Sequence, residues 1–269
     1  MIKILVPTDF SPNANLALEH AIKVANQFKG VVHVLHAYQI ETRTGSFVSI
    51  ENIIQEDREK DIANLIEKMK PLLKSGTQLE GHVKKGSSVD SIIKKAQKID
   101  ADMIIMGTTG AGGMKKIFLG STASNVINET SIPVLAIPMD IHSFNLAKIT
   151  LALDTKNIEN LSVLEPLVKV AKAFKSSLML VTILDPIQTD MGVDPTVEDF
   201  FKKEEVSYNY HAITAPDVIV GIQEFVVREK SDLLCVLHRA RGLFEGLFDQ
   251  SVAKQIAFDS TVPLLVLRA

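Results

Sequence analysis

The chain is poor in the features that mark secreted, membrane-spanning and nucleic-acid-coating proteins. Its 269 residues hold one cysteine, Cys235, so no disulfide can form within it. Cys235 lies inside the apolar run Leu233 to Leu237, where a buried, inert thiol is expected, because thiolate chemistry needs a polar and partly exposed setting. No apolar run approaches the roughly 18 residues that span a bilayer. Neither charge sign dominates: 29 Lys and Arg against 32 Asp and Glu leave a net charge of -3, which supplies no global positive field for nucleic acid. The first residues run directly into Lys3-Ile4-Leu5-Val6-Pro7 with no charged-then-apolar leader, and the expectation is a cytoplasmic protein. Histidine is scattered. His33 and His36 alternate on one predicted strand and His82 and His211 stand alone, so the sequence assembles no three- or four-ligand metal set. It assembles no Ser-His-Asp or Cys-His set either.

What is present is an ordinary core: 46% of residues are hydrophobic and 23% charged, enough for one large or two ordinary domains. Residues 2–6 read as a strand that ends at Pro7-Thr8-Asp9-Phe10. Ser11 and Pro12 start a helix, with a capping hydroxyl and a proline at the first helical position. Ala14, Ala17, Leu18, Ala21, Ile22, Ala25 and Phe28 recur at helical spacing. Gly30 ends that helix and Val31 to Ala37 is a second strand. A long amphipathic helix follows, then a more polar strand, Leu79 to Lys84, placed near a sheet edge. Gly86-Ser87-Ser88 opens a third helix, the apolar run Met103 to Met106 is a fourth strand, and Pro133 to Ile137 a fifth. Connections this long between strands call for a parallel sheet with helices on both faces, which binds ligands at the C-terminal ends of its strands.

The second half repeats the first. Ile149 to Asp154 answers Ile4 to Asp9, Leu178 to Ile183 answers Val32 to Ala37, and Leu233 to Leu237 answers Met103 to Gly107. Ser131-Ile132-Pro133-Val134-Leu135 returns as Thr261-Val262-Pro263-Leu264-Leu265. The chain therefore reads as an internal duplication, with domains at 1–141 and 146–269. The polar segment from Asp185 to Tyr210 reads as a surface loop carrying part of a helix.

One stretch has chemistry of its own. Met106 to Val126 sets Gly107, Gly110 and Gly120-Ser121 between the fourth strand and a helix start. Backbone amides there can face an anion, and the helix start adds unpaired N–H groups and the positive end of a dipole. The alternative is that these glycines only shape a connection. The spacing fits neither the GK[ST]-closed phosphate loop nor GxGxxG. Lys115 and Lys116 lie between the glycines and read as a solvated pair.

These residues resemble the universal stress protein family: the opening Val6-Pro7-Thr8-Asp9-Phe10-Ser11, the Gly107, Gly110, Gly120-Ser121 spacing, the Ser124-Asn125-Val126 that follows, and Pro133-Val134. The resemblance covers the chain as two tandem copies, strongly in the first and loosely in the second. It implies an α/β fold of two tandem Rossmann-like (adenine nucleotide alpha hydrolase-like) domains, each with a five-stranded parallel sheet flanked by helices. It also implies ATP as ligand, with Mg²⁺. By that resemblance Asp9 lies by the ribose and phosphates and the backbone of Ala37 meets the adenine edge. Gly107 and Gly110 wrap the ribose and phosphates, and Gly120, Ser121 and Thr122 hold the phosphate tail. Pro7, Thr8 and Met106 belong to the same site. For Asp9 a local turn cap is the competing reading. The resemblance further implies an intramolecular pseudo-dimer in which Val134 to Ile137 pairs with Leu264 to Leu267, and allows a homodimer of whole chains.

The second half departs where the ligand would sit. Gly107 becomes Leu237, Gly110 becomes Ala240 and Gly120 becomes Gln250, while Ser251 keeps Ser121, Asp154 keeps Asp9 and Ala152 replaces Pro7. Side chains stand where close backbone approach is needed, so this half is expected to have lost its nucleotide. His238, Arg239 and Arg241 could still attract an anion. The expectation is a regulatory ATP-binding stress protein with no catalytic residues. The competing readings are an interaction scaffold that binds no nucleotide and a slow ATPase, the latter opposed by the lack of any pyrophosphate loop or arginine pair for a leaving phosphate.

Overall fold

In the computed structural model the described residues are 1–40, 48–108, 119–141, 144–154, 158–184, 187, 189–190, 192–238 and 262–268. They divide into two compact units, with the boundary between Ile132 and Pro133.

The first unit runs β1 (Lys3–Pro7), α1 (Pro12–Phe28), β2 (Val31–Tyr38), α2 (Val48–Met69), β3 (Gln78–Lys85), α3 (Ser88–Lys98), β4 (Met103–Gly107) and α4 (Ser121–Glu129). Its strands lie in the order β3-β2-β1-β4, all parallel. Helix α1 begins as its sequence predicts: the Ser11 hydroxyl accepts from the Ala14 N–H at 3.2 Å and Pro12 opens the first turn. Its buried face is Ala14, Ala17, Leu18, Ala21, Ile22 and Ala25, with His20 buried among them. The helix ends with Lys29 in the left-handed region, φ 51°, and Gly30 turns the chain into β2. Gly30 is fixed by close approach, since a Cβ there would stand 2.5 Å from the Ile2 carbonyl oxygen. Strand β3 is an edge with mostly exposed residues, as its polar composition requires.

The second unit contains β5 (Val134–Ile137), β6 (Lys148–Leu153), α5 (Glu165–Phe174), β7 (Ser177–Leu184), α6 (Pro195–Lys203), β8 (Tyr208–Thr214), α7 (Val218–Glu229), β9 (Leu233–His238) and β10 (Leu264–Arg268). The order is β5-β10-β9-β6-β7-β8, parallel except that β5 runs antiparallel to β10. The expected strand pairing of 134–137 with 264–267 is therefore present. The segment expected to be loop with part of a helix holds all of α6, capped by Asp194 and burying Val197 and Phe201, and ends at the start of β8. Phe201 and Phe225 are fully buried, each worth about 1.5–3 kcal/mol of removed apolar surface.

The duplication extends to hydrogen bonds. Ile4 pairs with Met103 in β1 and β4, and Ile149 with Leu233 in β6 and β9. Lys3 pairs with Val31, and Lys148 with Ser177. Asp102 accepts the Lys3 N–H at 2.8 Å, and Asp232 accepts the Lys148 N–H at 2.8 Å. Lys29 and Lys175 close equivalent helices at φ 51° and 53°. Strand order β3-β2-β1-β4 in one half is β8-β7-β6-β9 in the other. Each half thus has a switch point, between β1 and β4 and between β6 and β9, where successive crossovers depart to opposite sides and a crevice opens at the strand ends.

Candidate functional site

The first switch point collects most of the residues that the sequence singled out. Pro7 ends β1 opposite Leu35. The Thr8 N–H donates to the Leu35 carbonyl at 2.9 Å, so the β1 ladder runs one residue further. His36 Nδ1 donates to the Thr8 carbonyl at 2.9 Å, which places the ring proton on Nδ1, because a carbonyl only accepts. The Thr8 hydroxyl accepts from the Phe10 N–H at 3.0 Å and the Asp9 carboxylate from the Ser11 N–H at 3.0 Å. These two bonds hold Phe10 at φ 63°, a backbone region that a bulky residue adopts only when its surroundings impose it. The Phe10 ring rests on the His36 ring with centroids 4.6 Å apart. Asp9 thus does cap its turn, and it is exposed while doing so. Ala37, two residues past Leu35 on β2, is half-buried at the same edge.

Across the crevice, Met106 is 4% exposed, so only its backbone reaches the opening. Gly107 ends β4, and a Cβ there would stand 2.4 Å from Asn13 Oδ1 and 2.7 Å from Asn13 Cγ. Asn13, in the first turn of α1, is buried against it. The Thr108 carbonyl accepts from the Gly120 N–H, drawing the start of α4 to the mouth of β4. Helix α4 begins at Ser121 with Gly120 as N-cap and no side-chain cap on its first turn. Ser121 is exposed and Thr122 half-buried. The Thr108 hydroxyl is buried and has no hydrogen-bond partner among the described residues. Sequence reading passed over Thr108 and Asn13 and weighed His36 only as a metal ligand; Thr108 adjoins Gly107, and that position was the available signal. Gly110, Lys115 and Lys116 lie outside the described residues.

A pre-organised strand edge, an exposed carboxylate, an orphaned hydroxyl and an uncapped helix start suit an anion carrying a polar, hydroxylated body. The equivalent edge of the second unit is different. Leu237, the counterpart of Gly107 by strand register, is 4% exposed, so a buried side chain stands at the position where the first unit has none. Asp154 follows β6 and is half-buried. His238 is half-buried, and burial, with Arg268, lowers its pKa. Arg239, Ala240, Arg241, Gln250 and Ser251 lie outside the described residues.

A second cluster sits away from this edge, where β2 pairs with β3. His33 lies opposite Glu80 and Leu35 opposite His82. His33 Nδ1 is 3.1 Å from His82 Nε2 and 3.2 Å from Glu80 Oε2, and His82 Nε2 is 3.8 Å from the same carboxylate oxygen. The histidines that stand apart in sequence therefore converge. Burial lowers the pKa of both, opposed by Glu80 and reinforced by Lys95, and takes His82 to about 4. In β9, Cys235 is fully buried, which pushes its thiol pKa far up and leaves it inert as expected. No helix among the described residues is long and apolar enough to cross a membrane.

Comparison with known proteins adds the following. The model of the universal stress protein family matches residues 1–138. Universal stress protein MJ0531 of Methanocaldococcus jannaschii is 30% identical over 141 residues, covering 50% of this chain and 81% of that protein. Universal stress protein MJ0577 of the same organism is 31% identical over 152 residues, covering 50% of this chain and 93% of that protein. Among solved structures, a universal stress protein from Archaeoglobus fulgidus DSM 4304 matches with a TM-score of 0.75 and 19% identity over 99% of this chain and 98% of that one. At that identity the match bears on the fold alone, and it extends over both units.

Proposed function

The chain belongs to the universal stress protein family, and on that premise we propose that it is a regulatory member that binds one ATP, with Mg²⁺, at the C-terminal edge of β1, β2 and β4. The observation that carries this reading is the Thr108 hydroxyl, buried without a partner among the described residues beside the uncapped start of α4. A buried hydroxyl left unpaired costs about 1–3 kcal/mol, and a ligand oxygen at this edge would satisfy it. Asp9 would serve the ribose hydroxyls or a phosphate-bound Mg²⁺. Pro7, Thr8 and the backbone of Ala37 would border the base, and Met106, Gly107 and Gly110 the ribose and phosphates. Gly120, Ser121 and Thr122 would offer amides and hydroxyls to the phosphate tail. Bound nucleotide supplies the phosphates and the metal; the chain binds and orients them.

In this reading the second unit holds no nucleotide, because Leu237 carries a side chain at the position where Gly107 allows close backbone approach. The two repeats act as an intramolecular pseudo-dimer. Its support is the β5–β10 ladder, which pairs Leu135 with Leu265, residues that correspond in the two repeats.

Calorimetric titration of the full chain with ATP and Mg²⁺ is expected to saturate at about one nucleotide per chain. Asp9→Ala and Thr108→Val are each expected to weaken binding about tenfold or more, the worth of a hydrogen bond to a charged group. Thr108→Val should leave stability without ligand unchanged or raised, because the methyl group needs no partner. No saturation at millimolar nucleotide would sink the proposal. One observation favours a scaffold that binds no nucleotide: Gly107 already has a packing reason in Asn13. Under that reading both substitutions leave every ligand titration flat.

A further inference from the structure

We propose that His33, Glu80 and His82 form a binding site for a divalent transition metal of the Zn²⁺ type, separate from the nucleotide edge. The topology puts these residues together. In β3, Glu80 and His82 are two apart and share one face of the sheet, and the parallel register brings His33 of β2 opposite Glu80 on that face. The residue between them, Gly81, faces the other way, where a Cβ would come within 2.3 Å of Ile62 and 2.6 Å of Ile66 of α2. Close packing of α2 on that glycine backs β3 and fixes the direction of the two ligands it carries.

The spacing is that of a coordination shell. Ligand atoms about 2.0–2.1 Å from a tetrahedral centre stand roughly 3.3–3.4 Å from one another. The three distances here are 3.1, 3.2 and 3.8 Å, which straddle that value, so a metal would seat with shifts of a few tenths of an ångström. Exposure is graded: the His33 side chain is 11% exposed, that of His82 26% and that of Glu80 49%. One ligand is anchored in the protein and one faces solvent, leaving a fourth position for water. Two nitrogens and one carboxylate oxygen form a three-ligand, open set of the kind that zinc uses.

The surrounding charge selects among metals. Lys95 and Lys98 of α3 and Lys3 of β1 bear on the pair of rings, and Glu80 is the negative group beside them. This balance disfavours Mg²⁺ and Ca²⁺, which need several oxygen ligands, and favours a metal held through imidazole nitrogen. The competing account is a metal-free network in which the His33 Nδ1 proton is shared with His82 and Glu80.

The full chain, stripped with chelator, is titrated with Co²⁺ as a spectroscopic probe and then with Zn²⁺. The expected result is one equivalent of Co²⁺ giving the intense visible bands of a four-coordinate site, displaced by one equivalent of Zn²⁺ and not by excess Mg²⁺. Glu80→Gln and His82→Gln alter the two more exposed ligands and should keep the fold, checked by circular dichroism. Each should weaken Co²⁺ binding by at least the roughly 10- to 100-fold that loss of even an outer-shell partner costs, while leaving ATP titrations unchanged. Absence of a saturable Co²⁺ spectrum, or affinity unaltered in both variants, overturns the site in favour of the metal-free network. ATP titration of the same samples keeps this outcome separate from that of the nucleotide proposal.

Discussion

Two causes compete for the glycine at position 107, and they predict different energetics. A ligand cause makes any side chain there harmful to binding alone. A packing cause makes it harmful to stability, because an added Cβ meets Asn13 Oδ1 at 2.4 Å and Asn13 Cγ at 2.7 Å. Gly107→Ala is therefore expected to destabilise the chain by about 1–3 kcal/mol, the usual cost of overpacking. Pairing it with Asn13→Ala, which clears the space, should cost less than the sum of the two single changes. Urea denaturation of the four proteins checks this, and strict additivity would remove Asn13 as the cause. His20 makes a separate prediction. It is 2% exposed, and burial, with Lys23 adding to it, lowers its pKa from 6.5 to about 4. Above pH 6.5 the ring is neutral in folded and unfolded chains alike, and it contributes no pH dependence. As pH falls from 6.5 to 4 the unfolded chain takes up a proton that the folded chain refuses, so stability declines by on the order of 3 kcal/mol and then levels off. An NMR titration placing the His20 pKa at or above 6.5 would contradict this, as would a His20→Gln variant with the same acid sensitivity as the parent.

Among the elements, what could be read from sequence was what local pattern decides. Helix α1 was legible because Ser11, Pro12 and a seven-residue apolar stripe each point the same way, and β1, β2, β4 and β9 because they are short apolar runs. Strand β8 was not. Tyr208 to Thr214 mixes half-buried and exposed residues and buries none fully, at the edge of its sheet, and such an edge strand looks like a loop until its partner β7 is known. The candidate site divides along the same line. Asp9, Gly107 and Gly120 announce themselves by residue type and spacing. Thr108 does not, since only a folded chain reveals that its hydroxyl is buried and unpaired among the described residues. The His33, Glu80, His82 cluster was further out of reach. Its members are 47 and 49 residues apart in sequence, and they meet only through the one-to-one register of β2 with β3. A shift of one residue would put Glu80 and His82 on the opposite face.

At the scale of the whole molecule, the duplication leaves an edge to be covered. The β5–β10 ladder sets Leu135 opposite Leu265, Val134 opposite Val266 and Ala136 opposite Leu264. Since the repeats correspond at an offset that maps Leu135 onto Leu265, the ladder is symmetric about that pair. An antiparallel pairing centred on equivalent residues is the contact that two identical copies make about a two-fold axis. In the proposed pseudo-dimer, one strand of each repeat would supply the edge and the strand of the other repeat would cover it. A fragment ending at residue 141 would keep β5 and lose β10, exposing the main-chain groups and the buried side chains of Val134, Leu135, Ala136 and Ile137. Bare edges of that kind recruit another strand, and the strand of matching shape is β5 of a second fragment, with Leu135 opposite Leu135. The fragment 1–141 is therefore expected to run as a dimer by light scattering. Leu135→Lys places like charges face to face at the centre of that ladder and should return it to monomer while ATP binding persists. A wild-type fragment that is folded and monomeric at tens of micromolar would show that β5 needs no partner, and with it the pseudo-dimer reading of the full chain would lose its physical basis.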